Sequence, residues 1–422
     1  MFSYSALADR VLAGTPATAD DAHAIQSSSD EELLDLVAAA SRLRREHFGN
    51  RVKVNYLVNL KSGLCPEDCG YCSQRLGSEA EILKYSWLPG DEARRQAEFG
   101  LAGGASRVCL VASGRGPSNR DVERVSGMVE DIKSAHPGVE VCACLGFLKD
   151  GQAQRLRDAG VDAYNHNLNT AESHYADICS THTFADRVDT VDKARDAGMS
   201  PCSGLIVGMG ETNAQIIETI ESLKAVDSDS IPVNFLIPFD GTPLEGTNTL
   251  TPQHCMRILC AVRFMCPDRE LRIAGGREMH LRSLQPLSLH VANSLFLGDY
   301  LTSEGQAAED DLDMIVDGGF EIVGAQNTAQ LRDELKAHRA AHQAAFDTSG
   351  NGTADGTGTA DGTAPAAAPA AAPAAAPAAA AAASTLPCGK PLPPAGHEAG
   401  SAGVQIPTIR RRGAGTELAP NA

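Results

Sequence analysis

The stretch RDAGVDAYNHNL, residues 157–168, ends a charged helical run on a glycine and turns at once into a short apolar segment. The same junction returns at RDAGMSPCSGLIVG, residues 195–208. A glycine in that place is the usual left-handed helix stop, so each copy reads as helix, turn, strand. Working outward, strand-length runs rich in apolar or β-branched residues occur at 52–60, 106–112, 139–147, 162–168, 201–208, 231–239, 271–276 and 293–301. Helix-period segments such as SNRDVERVSGMVEDIKSAH (118–136) and TNAQIIETIESLKAV (212–226) separate them. Strands alternating with helices make a parallel sheet. Eight is the number that closes an α/β TIM-type (β/α)8 barrel, whose working loops lie at the strands' C-terminal ends. An open doubly wound sheet is the alternative, and the strand count favours the barrel.

The flanks read differently. Residues 1–50 are expected to be a helical extension: Ser29 with Glu32 three positions on is a capping-box pattern, and Gly49 is a stop. The barrel is expected over 51–325 and a C-terminal helix over 326–345. From 346 to 422 the chain turns to Gly/Thr/Asp and then Pro/Ala repeats, with little to bury, and reads as a disordered tail. Its Arg410–Arg412 cluster reads as solvated. A net charge of −18 argues against nucleic-acid binding. The start lacks a secretory pattern, and no stretch approaches a membrane span, so a cytoplasmic protein is expected.

Twelve cysteines are too many to ignore in such a chain. In a reducing compartment they point to metal or catalysis rather than disulfides. Cys255, Cys260 and Cys266 sit in an amphipathic helix pattern and read, with Cys179, as packing residues. CPEDCGYC (65–72) is different, because Cys65, Cys69 and Cys72 follow the first strand, on the barrel's working face. Zinc and ferredoxin-type sites want four ligands. A C-x3-C-x2-C triplet suits a [4Fe-4S] cluster with one iron left open, able to chelate the amine and carboxylate of S-adenosylmethionine (SAM).

Two further sets lie within strands. Cys109, Cys142, Cys202 and Arg272 could converge inside a closed barrel, where alternate side chains point inward. Space-filling is the plain reading for any one of these cysteines, and a buried ion pair for the arginine. Cys142 and Cys144 face the same way, and spacing does not choose between them. Asn165, Asn167 and Asn169 alternate along the fourth strand. Buried amides without partners are costly, so a row of three implies a polar ligand or a dense network.

The segments GLCPEDCGYCSQ, YNHNLNT, CSGLIVGMGET, FDGTPLEG and RIAGGRE, in that order, resemble the biotin synthase family of the radical-SAM superfamily. The resemblance covers about residues 50–305. It implies an enzyme that inserts sulfur into dethiobiotin. A [4Fe-4S] cluster on Cys65, Cys69 and Cys72 would cleave SAM. A [2Fe-2S] cluster on Cys109, Cys142, Cys202 and Arg272 would donate sulfur. It also implies SAM contacts at Tyr71, Asn167, Asn169, Gly208 and Gly210, and substrate contacts at Asn165, Asn167, Asn234, Thr302 and Ser303. A flavodoxin or ferredoxin reductant and a homodimer follow from the same likeness. Position 169 is commonly a carboxylate in that family, whereas Asn169 offers one acceptor oxygen and no charge. Other radical-SAM barrels, of the hydrogenase-maturation or methylornithine-forming kind, share the triplet. An iron–sulfur electron carrier would need no polar row inside a barrel.

Overall fold

Backbone hydrogen bonds join the alternating segments into a closed parallel barrel in this computed structural model, which describes residues 2–337 and residue 340. The strands are β1 (Arg51–Lys61), β2 (Arg107–Ala112), β3 (Glu140–Cys144), β4 (Ala163–Asn165), β5 (Ser200–Cys202), β6 (Leu205–Val207), β7 (Ser230–Phe235), β8 (Glu270–Ile273), β9 (Ser294–Phe296) and β10 (Glu321–Ile322). Each pairs in parallel with the next around the ring, and β9 returns to β1 through Lys53 opposite Ser294. β5 and β6 both pair with β7 and together fill the fifth of eight positions. β10 adds a short parallel pairing at the start of β1.

Strand parity sorts the side chains. Val54, Val58, Val108, Leu110, Val141, Ile231, Val233 and Leu271 belong to the large outer core. Cys109, Val111, Cys142, Ala163, Cys202, Ala274 and Phe296, from alternate positions, form a separate cluster within. Period-two alternation in a closed sheet produces this division.

The N-terminal extension is helical, as expected. The Ser29–Glu32 capping box is present, and Leu33–Phe48 ends at Gly49 with φ +59°. Residues 328–337 are helical. The expected helix beyond them, and the tail over 346–422, lie outside the described residues. No helix among the described residues is long and apolar enough to cross a membrane.

Every barrel strand but β1 is shorter than the sequence suggests, β9 among the most, at Ser294–Phe296 against 293–301, and two of them have a local cause. β4 stops at Asn165: His166 N–H still donates to the Cys202 carbonyl at 2.9 Å, but side chains claim the Asn167 and Leu168 backbone groups beyond it. Arg187 Nη1 donates to the Asn167 carbonyl at 2.9 Å, and Leu168 N–H donates to Ser203 Oγ at 3.2 Å. The fifth position is broken at Ser203–Gly204, where the chain runs against its neighbour. A Cβ on Gly204 would lie 1.9 Å from the Pro232 carbonyl oxygen. Gly204→Ala is therefore expected to cost about 1–3 kcal/mol, read as a lower Tm of the cluster-free protein. An unchanged Tm would mean that β7 shifts freely at Pro232.

Candidate active site

Inward residues stack in tiers because each strand contributes one residue at each depth. At the base, Glu270 accepts from Arg107 Nη1 at 3.0 Å and Arg272 Nη2 at 2.5 Å. Glu140 accepts from Arg107 Nε at 2.9 Å and from Lys53 at 2.6 Å. Two buried guanidiniums hold the Glu270 carboxyl well below its ordinary range even though burial opposes its charge.

The next tier holds Cys109, Cys142, Cys202 and Arg272. Cys109 is directly opposite Cys142. Arg272 is pinned on three sides: Nη2 also donates to Ser230 Oγ at 2.8 Å, Nε donates to Ser294 Oγ at 3.3 Å, and Nη1 points at Cys202 Sγ, 3.7 Å away. The Cys142 thiol donates to both flanking sulfurs. That contact lowers the Cys109 and Cys202 pKa values, with Arg272 and Arg107 adding to the effect, and raises that of Cys142. Thiolates are thereby favoured at the centre of the barrel. Cys144 stands one tier higher, opposite Val111 rather than Cys109, and burial pushes its thiol up to about 12. Geometry thus groups Cys142, not Cys144, with the other ligand candidates.

Above this tier lies a cavity of about 370 Å³. Leu57, Val111, Cys144, Asn165, Pro232 and Phe296 line it at the level of the strands, and the 65–76 loop lines it at the mouth. Cys65, Cys69 and Cys72 all face it. That loop folds back on itself through Cys65 N–H to Gln74 O at 2.9 Å and Cys72 N–H to Cys69 O at 3.1 Å. Among the described residues the three thiols do not converge within 4.8 Å of one another. They are set too wide for one zinc ion and suit a larger cluster. Burial raises the Cys65 thiol and pushes Cys72 up to about 11.

The asparagines converge on the same cavity, although Asn167 and Asn169 lie past the end of β4. Asn165 Nδ2 donates to Asn167 Oδ1 at 3.0 Å and to the Cys202 carbonyl at 3.2 Å. Asn167 Oδ1 accepts from Gly204 N–H at 3.1 Å. Asn234 Oδ1 accepts from Gly275 N–H at 3.1 Å. Asn169 has φ +73°, which breaks the alternation, and its Nδ2 donates to the Tyr71 hydroxyl at 2.6 Å. Thr302 shares a hydrogen bond with Ser73 at 2.9 Å and, with Ser303, lines the cavity. Gly208 and Gly210 stand outside that lining, in a turn with φ near +98° and +99°, where Glu211 accepts from Gly208 N–H at 2.6 Å.

Sequence reasoning missed several residues here. Arg187, wholly buried, lines the cavity beside the triplet and bonds Tyr175. Burial opposes its charge, yet Tyr71, Tyr175 and Cys69 raise its pKa. Arg107, Glu140 and Glu270 each precede an inner-tier residue by two, and parity alone would have placed them. Cys179, read as packing, is buried but lies 3.8 Å from Cys69, sulfur to sulfur. Arg277 pairs chiefly with Asp311, both fully buried, at 2.6 Å, and more loosely with Glu278.

Eight parallel strands, an open-sided cysteine triplet at their C-terminal mouth and a pocket beneath it define a radical-SAM barrel enzyme. Residues 60–223 match the radical SAM superfamily model, and residues 232–321 match the biotin and thiamin synthesis associated domain. Similar proteins include the biotin synthase of Kocuria rhizophila, 70% identical over 76% of this chain and 68% of that protein. That of Streptomyces avermitilis is 58% identical over 95% of both chains. That of Saccharopolyspora erythraea is 67% identical over 76% of this chain and 90% of its own. The chain belongs to the biotin synthase family. In fold it is also similar to methylornithine synthase (TM-score 0.60, 23% identity, 69% of this chain and 85% of that one). The FeFe-hydrogenase maturase HydG from Carboxydothermus hydrogenoformans is likewise similar (TM-score 0.65, 18% identity, 76% and 79% covered).

Removing the shared carboxylate leaves two buried guanidiniums short of a counter-charge. Glu270→Ala is expected to lose about 3–5 kcal/mol in denaturant unfolding of the cluster-free protein. A loss under about 1 kcal/mol would place the pair in the weak, solvent-screened class.

Proposed function

We propose that this enzyme converts dethiobiotin to biotin, with a [4Fe-4S] cluster on Cys65, Cys69 and Cys72 and a [2Fe-2S] cluster on Cys109, Cys142, Cys202 and Arg272. The observation that carries the reading is the stacking of two separate cysteine sets above and below one cavity. When bound, the upper cluster supplies the electron that cleaves SAM, and the lower one supplies sulfide. The protein's own residues bind, orient and exclude water. Arg187, the buried cation beside the triplet, suits the SAM carboxylate. Tyr71 and Asn169 would hold the nucleoside end, with Gly208 and Gly210 shaping a nearby turn. Asn165, Asn167 and Asn234 offer amide donors and acceptors to the substrate's ureido ring, and Thr302 and Ser303 suit its carboxylate. Arg272 would hold iron through Nη1, the nitrogen that Glu270, Ser230 and Ser294 leave free of oxygen partners.

The catalytic unit is residues 51–325, flanked by a helical extension over 1–50 and by the helix over 328–337. A flavodoxin or ferredoxin as electron donor, a homodimer and a cytoplasmic setting complete the proposal. The decisive experiment is electron paramagnetic resonance of anaerobically reconstituted, reduced protein with and without SAM, alongside iron counting and dethiobiotin turnover. A SAM-sensitive [4Fe-4S] signal and biotin formation are expected. Cys142→Ser should lose the two irons of the second cluster, whereas Cys144→Ser should keep them. A spectrum blind to SAM, or equal iron loss in both variants, would overturn the assignment.

Asn169 gives a second readout. Asn169→Asp supplies a charged acceptor with two oxygens, one of which can accept a hydrogen bond from the Tyr71 hydroxyl. SAM should bind about tenfold more tightly, the difference between a neutral and a charge-assisted hydrogen bond. Unchanged affinity in equilibrium dialysis would remove residue 169 from the SAM site.

A further inference from the structure

Cys179 and His182 belong to the short loop between helices Glu172–Ile178 and Phe184–Asp196. They stand with Cys69 as a buried group whose ligand atoms all lie within 4.8 Å of one another. A tetrahedral ion with Zn–S of about 2.3 Å and Zn–N of about 2.0–2.1 Å sets two sulfurs about 3.8 Å apart and sulfur and nitrogen about 3.6 Å apart. The Cys69 and Cys179 sulfurs are 3.8 Å apart, and Cys179 Sγ lies 3.6 Å from His182 Nε2. Asp68 Oδ1, 3.1 Å from Cys179 Sγ, accepts from Ser180 and Thr181 N–H and buttresses the loop from outside the three-donor group. Behind the imidazole, Glu67 Oε2 holds His182 Nδ1 at 2.5 Å. That is the carboxylate–histidine support that metal-bound imidazoles use, and it leaves Nε2 as the ligand atom. Arg187 Nη2 now fills that lone pair at 3.0 Å and would have to swing aside. Cys69 and His182 line the open cavity, which gives an ion its path inward.

We propose that the cluster-free enzyme binds one soft divalent cation of the zinc class through Cys69, Cys179 and His182, with a solvent water from the cavity closing the tetrahedron. Cys69 also belongs to the triplet, so this ion and the [4Fe-4S] cluster exclude each other. Zinc held here blocks cluster assembly until it is withdrawn. The inference rests on the triplet reading only for that exclusion; the ion site itself stands on geometry.

The test uses the full chain, reduced, chelator-stripped and anaerobic, with zinc or cobalt(II) alone as probe. The parent should hold one equivalent of zinc, and cobalt should give tetrahedral visible bands with thiolate charge transfer. Cys179→Val should bind zinc at least about 100-fold more weakly, yet assemble its [4Fe-4S] cluster from iron and sulfide as the parent does. Preloaded zinc should stop that assembly in the parent and not in the variant. The same cobalt spectrum and affinity in Cys179→Val would overturn the proposal, because Cys179 would then not be a ligand of the ion. Should circular dichroism find Cys179→Val unfolded, His182→Gln carries the same test: a retained parental cobalt spectrum overturns the site, and its loss supports it. Failure of both parent and variant to take iron would count against the cluster reading and leave the zinc result standing.

Discussion

Glu270 accepts from both Arg107 and Arg272 at the base of the barrel, and the tiers above depend on that contact. A guanidinium in a dry interior needs a counter-charge and fixed partners. With Glu270, Ser230 and Ser294 engaging the rest of Arg272, Nη1 is the nitrogen directed at the sulfur of Cys202. Hydrogen bonding to Cys142, with the positive field of Arg272 and Arg107 adding to it, then favours thiolate at Cys109 and Cys202, the form in which cysteine binds metal. Charge at the base, thiols above it and a mostly apolar cavity above those follow one another along the same inward-facing positions.

Much of this was legible in the sequence, for definite reasons. Gly160 and Gly198 punctuate a repeat, and eight strand-length runs leave few ways to close. The triplet was legible because three thiolates in eight residues match no complete four-ligand site. Parity could not choose between Cys142 and Cys144, since both point inward; only the register with Cys109 separates them by depth. The asparagine row was read as one continuous strand. The sequence holds no sign that Arg187 would take the Asn167 carbonyl, or that Asn169 would turn left-handed.

Residues that act across long stretches of chain were the least legible. Cys179 lies 110 residues from Cys69, and its surroundings read as an ordinary helix junction. Only the closed barrel brings the junction beside the triplet loop, where Gly70 N–H donates to the Ile178 carbonyl at 2.9 Å. Glu67 and Asp68, between the triplet cysteines, look in sequence like solvated acids. In the fold they tie the loop to Thr181 and Ser180.

The tiered interior also bears on how such a protein can change over generations. Each strand addresses each depth with a single residue, so a substitution at Val111 or Cys144 reshapes the cavity and leaves Cys109 and Cys142, two positions below, in place. A lineage can therefore explore new guests by drift at one depth while selection holds another still. Insertions inside a strand carry the opposite risk: one added residue would turn every inward side chain of that strand outward. Inherited variety is channelled toward point replacement within the strands and toward length change in the loops that join them.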